Sequence, residues 1–228
     1  MADTRAGVWL LAAIVVITAA IMVIFLFAAP QEERTFINFM GISAVPQGFL
    51  LPVLAILLVT SEWSQRTALV TFSLVPRRMT VLVAKVLAAL VIGLAAIVVV
   101  SAIAALATVL GGADNAWDGI GWDSFGKFGL LQGFGILQGL AFGLALLSSP
   151  AAIVLFFVAP TVFSVVSSVW SAMADVQPWV DFSYSQEPLF GSADMTGEQW
   201  AQLLTGFLIW VALPFALGIV RLLRSEVK

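Results

Sequence analysis

The chain has 228 residues, 61% of them hydrophobic and only 10% charged, with a formal net charge of −3 and a mean hydropathy of +1.08. A soluble domain carries about a quarter charged residues, so this composition belongs in a bilayer, where only helices or a closed barrel satisfy the backbone. Cysteine and histidine are both absent, which excludes disulfides, thiolate chemistry, histidine-held metals and Ser–His catalysis.

The apolar runs are continuous rather than alternating, and they predict helices. Val8 to Ala29 is 22 residues with Thr18 as its only polar side chain. That is too long for the apolar region of a signal peptide, about 7–15 residues, and reads as a first span. Pro30 to Met40 reads as a short acidic loop with Glu32, Glu33 and Arg34. A second span, 41–60, is interrupted by Pro46 and Pro52. The stretch from Ser61 to Lys85 follows, the one internal segment that is charged and flanked by long apolar runs. Val81 to Leu110 is an apolar run of 30 residues. It would make about 45 Å of helix against about 30 Å of hydrocarbon, so it should tilt or project, with Lys85 snorkelling to the headgroups. Gly111 to Lys127 is a polar loop with Asp114, Trp117, Asp118, Trp122 and Asp123. The fourth span covers 128–147, Ser148-Ser149-Pro150 is a turn, and the fifth span covers 151–171. An acidic, aromatic loop runs from Ala172 to Gln202, and the sixth span covers 203–223. Thr196 and Gln199 have the spacing of a capping box, so the last helix should begin before the membrane. The expectation is one all-α transmembrane domain, residues 1–228, of six spans.

With six spans both termini share a side. That side holds Arg5, Arg66, Arg77, Arg78, Lys85, Arg221, Arg224 and Lys228, eight basic residues against Arg34 and Lys127 on the other. The excess marks the termini as cytoplasmic. Ten acidic residues fall outside, against Asp3, Glu62 and Glu226 inside. The same layout makes Asp118 and Asp181 outer-loop positions open to water and puts Ser73 inside.

The span centres contain no Asp, Glu, Lys or His. Ion-driven carriers and proton pumps need such groups, and a hydrolase needs a base beside its nucleophile. Energy for transport would therefore come from outside the membrane part. Gly135, Gly139 and Gly143 repeat every four residues and share one face of the fourth span. Such a face permits close helix packing, within one subunit by preference or at a dimer interface. Gln132 and Gln138 suit hydrogen bonds to neighbouring helices. Thr161, Ser164, Ser168 and Ser171 lie at helical spacing on the fifth span, with Ser167 alongside. Together with Gln47 they could line a translocation path, or simply bond to helix carbonyls. Pro46, Pro52, Pro160 and Pro214 each remove a backbone bond and predict kinks.

The central stretch is the most specific feature. Glu62 to Leu74 can form an amphipathic helix of 13 residues, broken by Val75-Pro76, with Pro76 in the first turn of the next helix. Arg77 and Arg78 then sit at the membrane surface, where they could bind anionic lipid. Ser61-Glu62, Arg66-Thr67, Pro76-Arg77-Arg78 and Lys85 resemble, in order and spacing, the loop between spans two and three of type-2 ABC exporter permeases. The ending, Gly197-Glu198-Gln199-Trp200-Ala201, Trp210, Leu213-Pro214, Gly218, Arg221 and Glu226-Val227-Lys228, resembles short actinobacterial members of that family. Many members carry an amphipathic helix ahead of the first span, and only seven residues precede Val8 here.

The resemblance implies a multi-pass permease of the bacterial cytoplasmic membrane that exports an amphipathic small molecule, peptide or lipid. It implies pairing with a second copy or a homologous permease, and docking of two copies of a separate ATPase that binds the ATP and magnesium. Glu62, Arg66, Thr67, Pro76, Arg77 and Arg78 would carry the ATPase contact through a coupling helix. The Ser148 turn would be a minor second contact, Ala172 to Gln202 would include a re-entrant hairpin, and spans one, two and five would face the dimer axis. The chain has no G-x-x-x-x-G-K-[ST] phosphate loop, so it is not itself expected to be an enzyme. Neither a cofactor in this chain nor nucleic acid is expected. The competing expectation is a non-transporting membrane scaffold or an anchor for a peripheral partner.

Overall fold

The computed structural model describes residues 5–64, 77–191 and 193–224. Six of its helices are long and apolar enough to cross a membrane, and the described residues contain no strand. They are α1 (Arg5–Ala28), α2 (Phe36–Ser64), α3 (Arg78–Gly111), α4 (Trp122–Leu146), α5 (Ser149–Val169) and α8 (Gly197–Arg224). Two short helices, α6 (Gln177–Val180) and α7 (Phe182–Gln186), stand between α5 and α8.

Local chemistry moves several boundaries. The loop expected up to Met40 ends at Thr35, because the Thr35 hydroxyl accepts from the Asn38 amide at 3.3 Å and starts α2 early. At its far end α2 continues through Glu62, since nothing between Pro52 and Ser64 breaks a helix. Glu62 therefore belongs to the last turn of α2 and does not open a separate helix. The rest of the expected Glu62–Leu74 helix, with Arg66, Thr67 and Pro76, lies outside the described residues. α4 starts at Trp122 rather than at 128; its first turns carry the Asp123–Lys127 pair at 2.8 Å. The turn before α5 is Leu147-Ser148, with Leu147 at φ 50°, and Ser149 and Pro150 already belong to the helix. α8 begins at Gly197 under the expected capping box: the Thr196 hydroxyl accepts from the Gln199 amide at 3.2 Å, and the Gln199 side chain accepts from the Thr196 amide at 2.8 Å. Pro214 lacks an N–H for the Trp210 carbonyl, and the preceding residues Leu208–Ala212 widen into a π turn.

Two compact units share the chain. The first comprises 1–51 and 90–133. Its core packs Met22 of α1 and Phe36, Phe39 and Met40 of α2 with Val100, Ala104 and Ala107 of α3 and Phe128 of α4. Phe25 meets Phe39 edge-on at 5.4 Å. Arg34 folds back to donate twice to the Ala29 carbonyl, at 3.0 and 2.9 Å, and closes the end of α1. Gly112, at φ 61°, ends α3, and its carbonyl accepts from Gln31 at 2.5 Å. Gln132 of α4 donates to Gln47 of α2 at 2.6 Å, both side chains buried.

The second unit comprises 52–89 and 134–228, with a core of Ile56, Phe142, Ala152 and Phe156. Here the spaced glycines of α4 are used within the chain. A Cβ on Gly139 would lie 2.5 Å from the Pro52 carbonyl oxygen; one on Gly143 would lie 3.2 Å from the Ile56 Cα. The α4 glycine face thus receives α2 backbone to backbone. α8 approaches α4 as closely at Gly218, whose missing Cβ would sit 2.8 Å from the Ala145 amide nitrogen.

Candidate functional site

Of the hydroxyls on α5, those of Ser164 and Ser167 reach one buried carboxylate, while Ser168 bonds the Val165 carbonyl of its own helix. Asp181 separates α6 from α7 and is only 1% exposed. One of its oxygens caps α7, accepting from the amides of Ser183 at 3.0 Å and Tyr184 at 3.2 Å. The other accepts from Ser164 at 2.5 Å, and more weakly from Gln177 at 3.4 Å and Ser167 at 3.5 Å. An ionised carboxylate offers about four acceptor positions, and here five donors fill them. The sequence suggests an acidic loop residue open to water; the buried cap is the opposite, and Asp181 is no reporter of sidedness.

Other contacts seat this segment. Trp210 of α8 donates to the Val180 carbonyl at 2.7 Å. Phe134 of α4 packs its ring, tilted, against those of Phe182 at 5.7 Å and Phe207 at 5.4 Å. Gly206 leaves room for Phe182 and Ser185: a Cβ there would lie 2.9 Å from each side chain. Between α5 and α6–α7 lies a cleft of about 450 Å³, lined by Ser164, Ser168, Gln177, Asp181, Tyr184 and Glu187 among others. Among the described residues no basic one lines it. Among the described residues, Ser164 meets Asp181, whose oxygens already accept from four other donors. Among the described residues no group of three His, Cys, Asp or Glu could hold a metal ion.

The opposite character appears where α2 ends and α3 begins. Lys85 does not reach outward as a snorkelling lysine would. Its ammonium pairs with Glu62 at 2.7 Å and donates to the carbonyls of Leu58 at 2.9 Å and Val59 at 3.4 Å. A lysine has three N–H donors, and all three have acceptors. Glu62 at the C-terminal end of α2 faces the unfavourable end of the helix dipole, which the lysine offsets. Arg78 donates to the Leu222 carbonyl at 2.5 Å, and Arg221 to the Ala145 carbonyl at 2.6 Å. Thr60 and Ser149 join α2 to α5 through their hydroxyls at 2.7 Å.

The residues expected for the ATPase contact are thus sorted. Glu62 is paired inside the chain, Arg78 is half-buried on the end of α8, and Arg77 is exposed. Of the expected path, Ser164 and Ser168 line the cleft. Thr161 is exposed and bonds its own helix at the Phe157 carbonyl, 2.7 Å away. Gln47 lies in the first unit, bonded to Gln132. The sequence makes Asp181 a water-exposed loop acid and Lys85 a snorkelling lysine; the structure buries the first and turns the second onto α2. The one local signal for Asp181 was an aspartate directly ahead of Phe182-Ser183-Tyr184, an N-cap pattern. Compared with protein-family models and with curated proteins, the sequence matches none.

Proposed function

We propose that this chain is the membrane half of an ATP-driven exporter of the type-2 ABC permease kind, with both termini and the segment 65–76 on the cytoplasmic side. The observation that supports it most is the joining of the two roots of that segment. Glu62 and Lys85 meet at 2.7 Å across α2 and α3, so a partner acting on the segment would act on two spans at once. The eight-to-two basic split supports the orientation. The uncharged span centres support an external source of energy. The α6–α7 segment is the part read as a re-entrant hairpin near the outer surface, and a second permease completes the pathway.

The test is isolation of the tagged chain in mild detergent from its native membrane. A separate protein carrying a G-x-x-x-x-G-K-[ST] loop should co-purify. A chain recovered repeatedly without any such protein would favour a scaffold. Orientation has its own check, made clean by the absence of native cysteine. Cysteines at Asp118 and Tyr184, both exposed, should react with an impermeant thiol reagent on intact cells, and one at Ser73 should not. Labelling at Ser73 alone would invert the topology.

A further inference from the structure

The basic residues of this chain are usually counted for the side of the membrane they choose; here three of them do something more definite. Lys85 of α3 closes on the last two turns of α2. Arg78 of α3 closes on the end of α8 at Leu222, and Arg221 of α8 closes on the end of α4 at Ala145. The carbonyls of Leu222 and Ala145 lie in the last turns of their helices. Arg78 and Arg221 each add a hydrogen bond at the negative, C-terminal end of a helix dipole. The three clasps run α2–α3–α8–α4 without a gap, all within one compact unit.

We propose that Lys85 is a positioning residue that makes the two roots of the segment 65–76 move as one body. The inference rests on the reading of the chain as an ATP-driven permease. Its argument is geometric. The segment leaves from α2 two residues after Glu62 and returns eight residues before Lys85. A displacement applied there can bend α2 away from α3, or it can carry both. With Lys85 holding one carboxylate and two backbone carbonyls of α2, the second response is the one that survives. The lysine does this through three bonds from one flexible stem, and an arginine could reproduce most of them. A methionine of similar length could not.

The experiment uses the reconstituted complex of this chain with the ATPase that co-purifies, and compares Lys85→Met, Lys85→Arg and the double variant Lys85→Met/Glu62→Gln. The double variant guards against a trivial outcome, because removing one partner of a buried ion pair strands the other, whereas removing both does not. The readout is the change in hydrogen exchange over Gln177–Phe190 on trapping with ATP and vanadate, divided by the ATP hydrolysed. It should fall about fivefold or more in Lys85→Met and equally in the double variant, and persist in Lys85→Arg. A double variant that melts like the wild type and still transmits the full change would reduce the pair to charge balance and overturn the proposal. Hydrogen exchange over Leu58–Trp63 in the isolated chain separates the two layers. It should quicken about tenfold in Lys85→Met. Unchanged exchange there overturns the clasp itself. A wild-type complex with no vanadate-sensitive hydrolysis but the quickened exchange would leave the clasp standing and remove the permease reading beneath it.

Discussion

Asp181→Ala should be among the most damaging single substitutions in this chain. It removes the cap of α7, worth about 1 kcal/mol. It also leaves the partly buried amides of Ser183 and Tyr184 and the hydroxyl of Ser164 without their acceptor, each costing about 1 kcal/mol. A loss of about 3 kcal/mol or more follows, concentrated in the segment that Trp210 and Phe134 hold in place. Limited proteolysis and hydrogen exchange should show 177–190 loosening well before α2 or α4. Asp181→Asn keeps an acceptor for the two amides and should cost about half as much. Ser164→Ala removes one donor of five and should cost only about 1 kcal/mol. Equal, small losses for all three variants would mean that the buried carboxylate does not organise this segment.

Gly139→Ala is the second. The added Cβ would meet three backbone atoms of Pro52 at 2.5, 2.9 and 3.0 Å. Backbone cannot swing aside as a side-chain tip can. The gain in helix propensity, about 1 kcal/mol, is outweighed by overpacking of about 1–3 kcal/mol or more at a site this rigid. A net fall in thermal stability in detergent is expected, larger for Gly139→Leu. Gly129→Ala and Gly133→Ala are controls on the same helix: a Cβ at either meets nothing within 4 Å, so they should be neutral or slightly stabilising. Gly139→Ala as harmless as these two would place the α2–α4 contact elsewhere.

The six spans were legible because apolar length alone specifies them, and the α4 glycine face because four-residue spacing is a helical period. The capping box at Thr196 was legible for the same reason: both of its partners lie within one turn. What could not be read was every feature whose partner lies far along the chain. Lys85 near the start of an apolar run has the sequence of a snorkelling residue, and only the approach of α2 turns it inward. Glu62 has the sequence of a helix start, and only the unbroken run from Pro52 makes it a helix end. Asp181 sits in a loop with four other acids, and only the packing of Phe182 against Phe134 and Gly206 buries it. The hydroxyl stripe of α5 was visible as a stripe; that Ser164 and Ser168 meet the cleft while Thr161 does not depends on where α6 and α7 come to rest.

The claim that this chain is the passive membrane half of an ATP-driven machine is tested most directly by ATP hydrolysis. The chain purified alone, free of contaminating ATPase, should hydrolyse no ATP, because it carries no phosphate loop. The complex isolated in mild detergent should hydrolyse ATP in a vanadate-sensitive manner, with the activity following the co-purified subunit. Robust hydrolysis by the isolated chain, or a native complex that is inert towards ATP, would contradict the account.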